Sequence, residues 1–208
     1  MVMEFDFYLK LFIFLYFLLF CTVLFGLRIY RVYKLTGQNP IIFGDSSSPH
    51  GYVALIFKFI LITITLEIFI LMLFPLVHST LLLPPTFPLT PLSPIFKILG
   101  LVILTISFII IFQAQQEMGS SWRMGIETFE KTKLINIGIY QFSRNPIYLG
   151  MNGTILGYFL IIPTITNFTL LFLIHFLFQV LIRQEEAHLT KIQGEDFLVY
   201  CQKVRRWL

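Results

Sequence analysis

The sequence predicts an all-α integral membrane protein, and three observations predict it. The 208-residue chain is 57% hydrophobic and 12% charged, about half the charged fraction of a soluble domain. Its apolar residues gather into five runs that approach the roughly 17 to 25 residues a helix needs to cross hydrocarbon. Twelve of its fifteen basic residues fall in only three of the segments between and after those runs.

The first run, 7–27, follows Glu4 and Asp6, whereas a cleavable leader would carry basic residues there, so no signal peptide is expected. The second, 52–77, contains Glu67. An ionisable side chain at that depth is a functional candidate or a hydrogen-bonded link between helices. "STLLLPPTFPLTPLSP" follows, with five prolines and no charge; proline resists helix and lacks a donor, so a stiff extended connector is expected. The third run is 95–116.

The fourth and fifth runs, 147–163 and 165–182, are separated by "PTITN" and read as an antiparallel hairpin. Gly150, Gly153 and Gly157, the last two spaced GxxxG, would let another helix approach the fourth span closely. His175 and Gln179 lie one turn apart on the fifth span and are expected to hydrogen-bond to neighbouring helices. Asn167-Phe168-Thr169 matches a glycosylation sequon but falls in a tight turn against the bilayer.

Five spans place the termini on opposite faces. With the N-terminus outside, segments 28–51, 117–146 and 183–208 are cytoplasmic and hold the twelve basic residues, as the positive-inside rule requires. The net charge of +4 thus sorts by membrane side and does not point to nucleic acid. Cys21 and Cys201, and the histidines at 50, 78, 175 and 188, lack metal-ligand spacing, so no metal site is expected.

The polar residues that could do chemistry converge on "SRNPIYLG", 143–150. Asn145 suits an N-cap and Pro146 the first helical position. Arg144 and Tyr148 either anchor the helix to headgroups or face a ligand; a helix N-terminus beside an arginine suits a carboxylate or phosphate. The hairpin returns "LIRQEEAHL" to the same depth, placing Arg183, Glu185 and Glu186 beside them. The preceding loop, rich in aromatics such as Trp122, Phe129, Tyr140 and Phe142, is expected to fold as a cap. The tail "GEDFLVYCQKVRRWL" has apolar residues at 197, 198, 201, 204 and 207 and reads as an amphipathic helix at the interface.

Together, GxxW at 119–122, "GIYQFSRNPIYLG", "EEAHLTKIQGEDFLVY" and the basic end resemble one superfamily of membrane methyltransferases. It includes the isoprenylcysteine carboxyl methyltransferases and the phospholipid methyltransferases. The similarity covers about 117–207. It implies S-adenosylmethionine bound at the cytoplasmic face and contacted by Lys133, Leu134, Ile135, Tyr140, Asn145, Pro146, Ile147 and Tyr148. Glu185 would meet the cofactor's ammonium and Arg144 its carboxylate, which makes them the candidate catalytic residues. Many relatives have His at the position of Asn145, which cannot titrate near neutral pH. Prenylcysteine enzymes have Arg at the position of Leu181, where the nearest arginine is Arg183.

The resemblance implies methyl transfer to a lipophilic acceptor arriving from the bilayer. Residues 1–116 would form the wall through which the acceptor enters, and 117–208 would hold the cofactor. Arg183 and Glu186 are the acceptor-side candidates, and Glu186 or Glu117 could take a proton from an amine. Two other readings differ in class: a lipid-binding scaffold that keeps the fold without catalysis, and a nicotinamide-dependent sterol-type reductase, whose members are roughly twice as long. Beyond membrane lipids, no nucleic acid or metal partner is expected.

Overall fold

The computed structural model describes residues 2–42, 49–73, 94–125 and 134–208. Within them the chain is helical apart from short connections and an isolated bridge between Ile41 and Met124. The α-helices are α1 Val2–Phe20, α2 Arg28–Thr36, α3 Pro49–Leu73, α4 Pro94–Met118, α5 Pro146–Ile161, α6 Ile165–Gln193 and α7 Glu195–Lys203. A π-helical segment, Cys21–Leu27, joins α1 to α2, and 3-10 turns occupy Gly119–Ser121 and Gly138–Gln141. The proline-rich connector lies outside the described residues except for Pro94, which opens α4, as do His78, Phe129, Lys131 and Lys133.

Among the described residues, four stretches are long and apolar enough to cross a membrane: Phe7–Thr36, Gly51–Leu73, Pro94–Ser121 and Ile165–Gln193. The fourth expected span, α5, has 16 residues and reaches about 24 Å, short of a hydrocarbon core of about 30 Å. Conversely, α6 has 29 residues and about 44 Å of length, so its last turns extend past the hydrocarbon. Phe59, Leu66, Ile95 and Ile98 remain exposed on α3 and α4; lipid, unlike water, solvates such a surface without cost. The protein is a multi-pass membrane protein.

The glycines of α5 meet α4. A Cβ on Gly157 would stand 2.8 Å from the Gly100 carbonyl oxygen, and one on Gly100 would stand 2.7 Å from the Gly157 oxygen. Gly153 similarly faces the Ser107 hydroxyl and Gly150 the Ile111 side chain. The partner implied by the small-residue spacing is therefore the preceding helix, against which backbones pack directly.

The turn of the hairpin is fixed from within the membrane. Thr164 caps α6, its Oγ1 accepting from the Asn167 N–H at 3.0 Å. Glu67 of α3 then accepts from the Thr164 hydroxyl at 2.9 Å, the Asn167 amide at 3.2 Å and the Tyr158 hydroxyl at 3.4 Å. Of its two expected roles, Glu67 fills that of an interhelical link. His175 and Gln179 differ from expectation: they bond to each other at 3.2 Å, and the His175 ring stacks on Trp207. One-turn spacing places the two side chains on the same helix face, within reach of one another.

The apolar core has two parts. Leu9, Ile13, Ile68, Leu71, Leu104 and Tyr158 join α1, α3, α4 and α5, while Val53, Ile60, Ile174 and Phe178 join α3 to α6. The π-helical segment is tied to α4 by the Gln115 amide, which donates to the Leu24 carbonyl at 2.8 Å.

Candidate functional site

Each residue of Ser143-Arg144-Asn145 binds the C-terminal tail. The Ser143 hydroxyl and the Asn145 amide both donate to the Arg206 carbonyl, at 3.3 and 3.1 Å. The Arg144 N–H donates to the Arg205 carbonyl at 3.0 Å, and its guanidinium reaches the Cys201 carbonyl at 3.1 Å. Asn145 occupies the N-cap position, but its side chain makes no cap hydrogen bond. The expected cap is absent because the amide is directed to the tail. Among the described residues no side chain takes up the first N–H groups of α5, and Pro146 at its start has none to offer.

The next residues line a cavity of about 190 Å³ where α5 begins and α6 leaves the bundle. Leu134, Ile135, Tyr140, Asn145, Pro146, Ile147 and Tyr148, seven of the residues the resemblance singled out, border it with Arg144, Glu185 and Glu186. Lys133, the remaining one, lies outside the described residues. Arg183 is exposed and borders neither of the two cavities that Glu185 touches. It follows Ile182, which is fully buried, so the helical turn directs Arg183 outward.

The paired glutamates have different surroundings. Glu186 forms ion pairs with Arg144 at 3.0 Å and Arg206 at 2.5 Å, fastening the end of α6 to the start of α5 and to the tail. Glu185 accepts one hydrogen bond, from the Tyr148 hydroxyl at 2.5 Å. Among the described residues no cation pairs with it. Glu117, the other candidate proton acceptor, instead accepts from the Ile139 N–H through both oxygens, at 3.1 and 2.9 Å. That contact needs a glycine at 138, where φ is +57° and a Cβ would overlap the Glu117 carboxylate.

The remaining walls come from segments distant in sequence. Phe197 and Tyr200 of α7 border the cavity, and the Tyr200 hydroxyl donates to the Tyr140 carbonyl at 2.6 Å. These two positions form the inward face of α7, while Leu198 of the expected apolar face is exposed. Burial, followed by the nearby charge of Glu185, holds the Tyr140 phenol well above its ordinary value. Burial likewise pushes Tyr200 up to about 12, against the effect of Arg144. Both phenols therefore remain neutral at physiological pH.

Arg123 and Ser121 also line the cavity. The sequence marked Arg123 only as a basic residue; a polar side chain following the GxxW pattern was the one available signal. The segment carrying it is fixed by pairing with Pro40 to Ile42, in which the Ile42 N–H donates to Met124 and the Met124 N–H to Pro40, at 2.7 and 2.8 Å. Gly125 permits this approach, since its φ is +104° and a Cβ would collide with the Ile42 carbonyl. Arg28, buried at the end of the π-helical segment, donates to the Gly119 carbonyl and lies over the Trp122 ring.

A second cavity, of about 110 Å³, adjoins the first and shares Arg123, Tyr148 and Glu185 with it. A third, of about 100 Å³ and almost wholly apolar, lies among α1, α3, α5 and α6. It shares Phe25, Phe57, Met151 and Phe178 with the second. The three form a series from the polar end of the bundle into its apolar interior.

The model of the phospholipid methyltransferase family matches residues 95–196. Over this segment, just under half of the chain, the protein is similar to that family. The match begins at α4, earlier than the resemblance read from about residue 117, and so includes the helix on which the α5 glycines pack. It ends within α7, and the polar cavity lies almost entirely inside the matched segment. No curated protein and no solved structure gives a significant match.

Proposed function

We propose that the protein transfers a methyl group from S-adenosylmethionine to a lipid acceptor drawn from the bilayer. The observation that carries this reading is Glu185: a carboxylate on a cavity wall, bonded to Tyr148 and without a cationic partner among the described residues. Such a group needs a cation to offset its desolvation, and the cofactor's α-ammonium is one. The uncapped start of α5 suits the α-carboxylate, and the aromatic faces of Tyr140 and Tyr148 suit the cationic sulfonium and the adenine. When bound, the cofactor supplies an electrophilic methyl group, which leaves sulfur as the acceptor's lone pair forms the new bond.

The chain's own residues orient the two reactants. Arg144 acts as a positioning residue, since its guanidinium is committed to Glu186 and the tail. Tyr148 and Glu185 separate the cofactor cavity from the one next to it, so the acceptor's reacting atom would approach that shared wall. Alignment of donor and acceptor can contribute about 7 to 11 kcal/mol. Residues 1–116 supply most of the acceptor's path and 117–208 the cofactor's walls. The acceptor's head would lie on the cytoplasmic side, where Arg28, Arg123, Arg144 and Arg206 collect at one end of the bundle.

Calorimetric titration of the detergent-purified protein with S-adenosylhomocysteine tests the reading. Micromolar binding that Glu185→Gln weakens supports it. A folded sample that binds nothing at millimolar concentration would leave the lipid-binding scaffold in its place.

A further inference from the structure

The outward face of α6 carries polar residues where hydrocarbon would surround it. His175, Gln179 and Arg183 follow at intervals of four residues, which sets them one above another along the helix. At 1.5 Å per residue they span about 12 Å, with Gln179 about 6 Å below Arg183. Exposed Phe172, Phe176 and Val180 flank them, so a polar ladder crosses a lipid-facing surface. Its two deeper members are joined: the Gln179 amide donates to the His175 ring at 3.2 Å, and that ring stacks on Trp207 of the tail. The amide keeps a second N–H that has no partner among the described residues. Arg183 is exposed and meets no carboxylate among them, because Glu186 is taken by Arg144 and Arg206 and Glu185 turns inward to Tyr148. Polar groups on a membrane-facing helix surface are costly unless they find partners.

We propose that this ladder binds one anionic phospholipid that is not a methyl acceptor: its phosphate meets Arg183, an ester carbonyl accepts the second Gln179 N–H, and an acyl chain lies along Phe176 and Phe172. The order of groups with depth supports this occupant. In a phospholipid the phosphate lies at the polar edge of the leaflet, the ester carbonyls just beneath it and the hydrocarbon below. Along α6 a cation, an amide and phenyl rings follow in the same order. Arg183 is 18 residues beyond Ile165, the first residue of α6, or about 27 Å along a core of about 30 Å, so its guanidinium reaches the headgroup level. Lys191, also exposed, adds a second cation two turns further on; a headgroup ammonium would oppose both, and an anionic headgroup would not. His175 is a positioning residue that fixes the amide by accepting one of its N–H groups. A second copy of the chain fits this face less well. Parallel α6 helices in a two-fold dimer would bring Arg183 against its own counterpart, and like charges oppose that contact. His175, Gln179 and Arg183 border none of the three cavities, so the site is separate from the acceptor's path. The inference goes beyond the methyltransferase reading and does not depend on it.

The chain has two tryptophans, so Trp122→Phe leaves Trp207, stacked on His175, as the sole reporter. This single-tryptophan chain is the reference, reconstituted in phosphatidylcholine vesicles. Phosphatidylglycerol carrying a nitroxide on its acyl chain is expected to quench Trp207 with about fivefold higher affinity than phosphatidylcholine labelled in the same way. Unlabelled phosphatidylglycerol should reverse the quenching. Arg183→Gln should erase the preference, Arg183→Lys should keep most of it, and Gln179→Leu should lower it about twofold to threefold. Equal quenching by the two labelled lipids in the reference chain would overturn the proposal. So would a preference that survives Arg183→Gln. A cross-linked dimer in the same vesicles that Gln179→Leu abolishes would give the ladder to a second copy and overturn it as well. Should Trp122→Phe not fold, the two-tryptophan chain and its Arg183→Gln variant decide by the same comparison, since Trp122 is 3% exposed. The readout involves no cofactor, so its failure would leave the methyltransferase reading as it stands.

Discussion

Glu185 and Glu186 are neighbours in sequence with different partners in space. Among the described residues, Glu186 is held by Arg144 and Arg206, and Glu185 by Tyr148. Glu185→Gln should therefore weaken S-adenosylhomocysteine binding by roughly ten- to a hundredfold, the equivalent of a charge-assisted hydrogen bond of about 1.5 to 3 kcal/mol. Glu186→Gln should mainly release the tail, seen as faster amide exchange at 201–208, with a much smaller loss of affinity. Asn167 shows the same dependence on surroundings. It heads a sequon, yet it is 1% exposed and its amide donates to Glu67 and to the Ile162 carbonyl. Glycosidase treatment should leave the protein's mass unchanged.

Two contacts between helices set the geometry that the site inherits. At the α4–α5 crossing, a methyl group added at Gly157 meets the Gly100 backbone oxygen at 2.8 Å, and backbone cannot move aside as a flexible side chain can. Gly157→Ala should lower stability in detergent by about 1 to 3 kcal/mol, measured by thermal unfolding. At the hairpin turn, Glu67→Leu would leave Thr164, Asn167 and Tyr158 without their acceptor. It should cost about 1 to 3 kcal/mol while S-adenosylhomocysteine binding by the surviving folded protein stays unchanged. Glu67→Gln, which keeps an acceptor oxygen, should cost less. The sequence marked the positions of Glu67 and the α5 glycines, but not the α3-to-hairpin clasp or the choice of α4 as partner, which join residues far apart in the chain.

On the scale of the whole molecule, the distribution of basic residues predicts an orientation. Protease protection of tagged protein in sealed vesicles should find the N-terminus outside and the C-terminus cytoplasmic. The reverse result would move the proposed cofactor site to the other face. The membrane-crossing runs were legible because lipid solvation and hydropathy belong to each segment by itself. Of the residues expected around SRNPIYLG, seven border one cavity. Sequence alone thus determined an all-helical membrane protein, the runs able to cross the bilayer and the stretch that borders the polar cavity. The tertiary structure decided which glutamate is paired, that Asn145 binds the tail and does not cap its helix, that Arg183 faces outward, and that a π-helical turn brings Phe25 between two cavities. Each of these depends on a partner brought close by folding, and periodicity along a chain reports the face of a helix but not what lies against it.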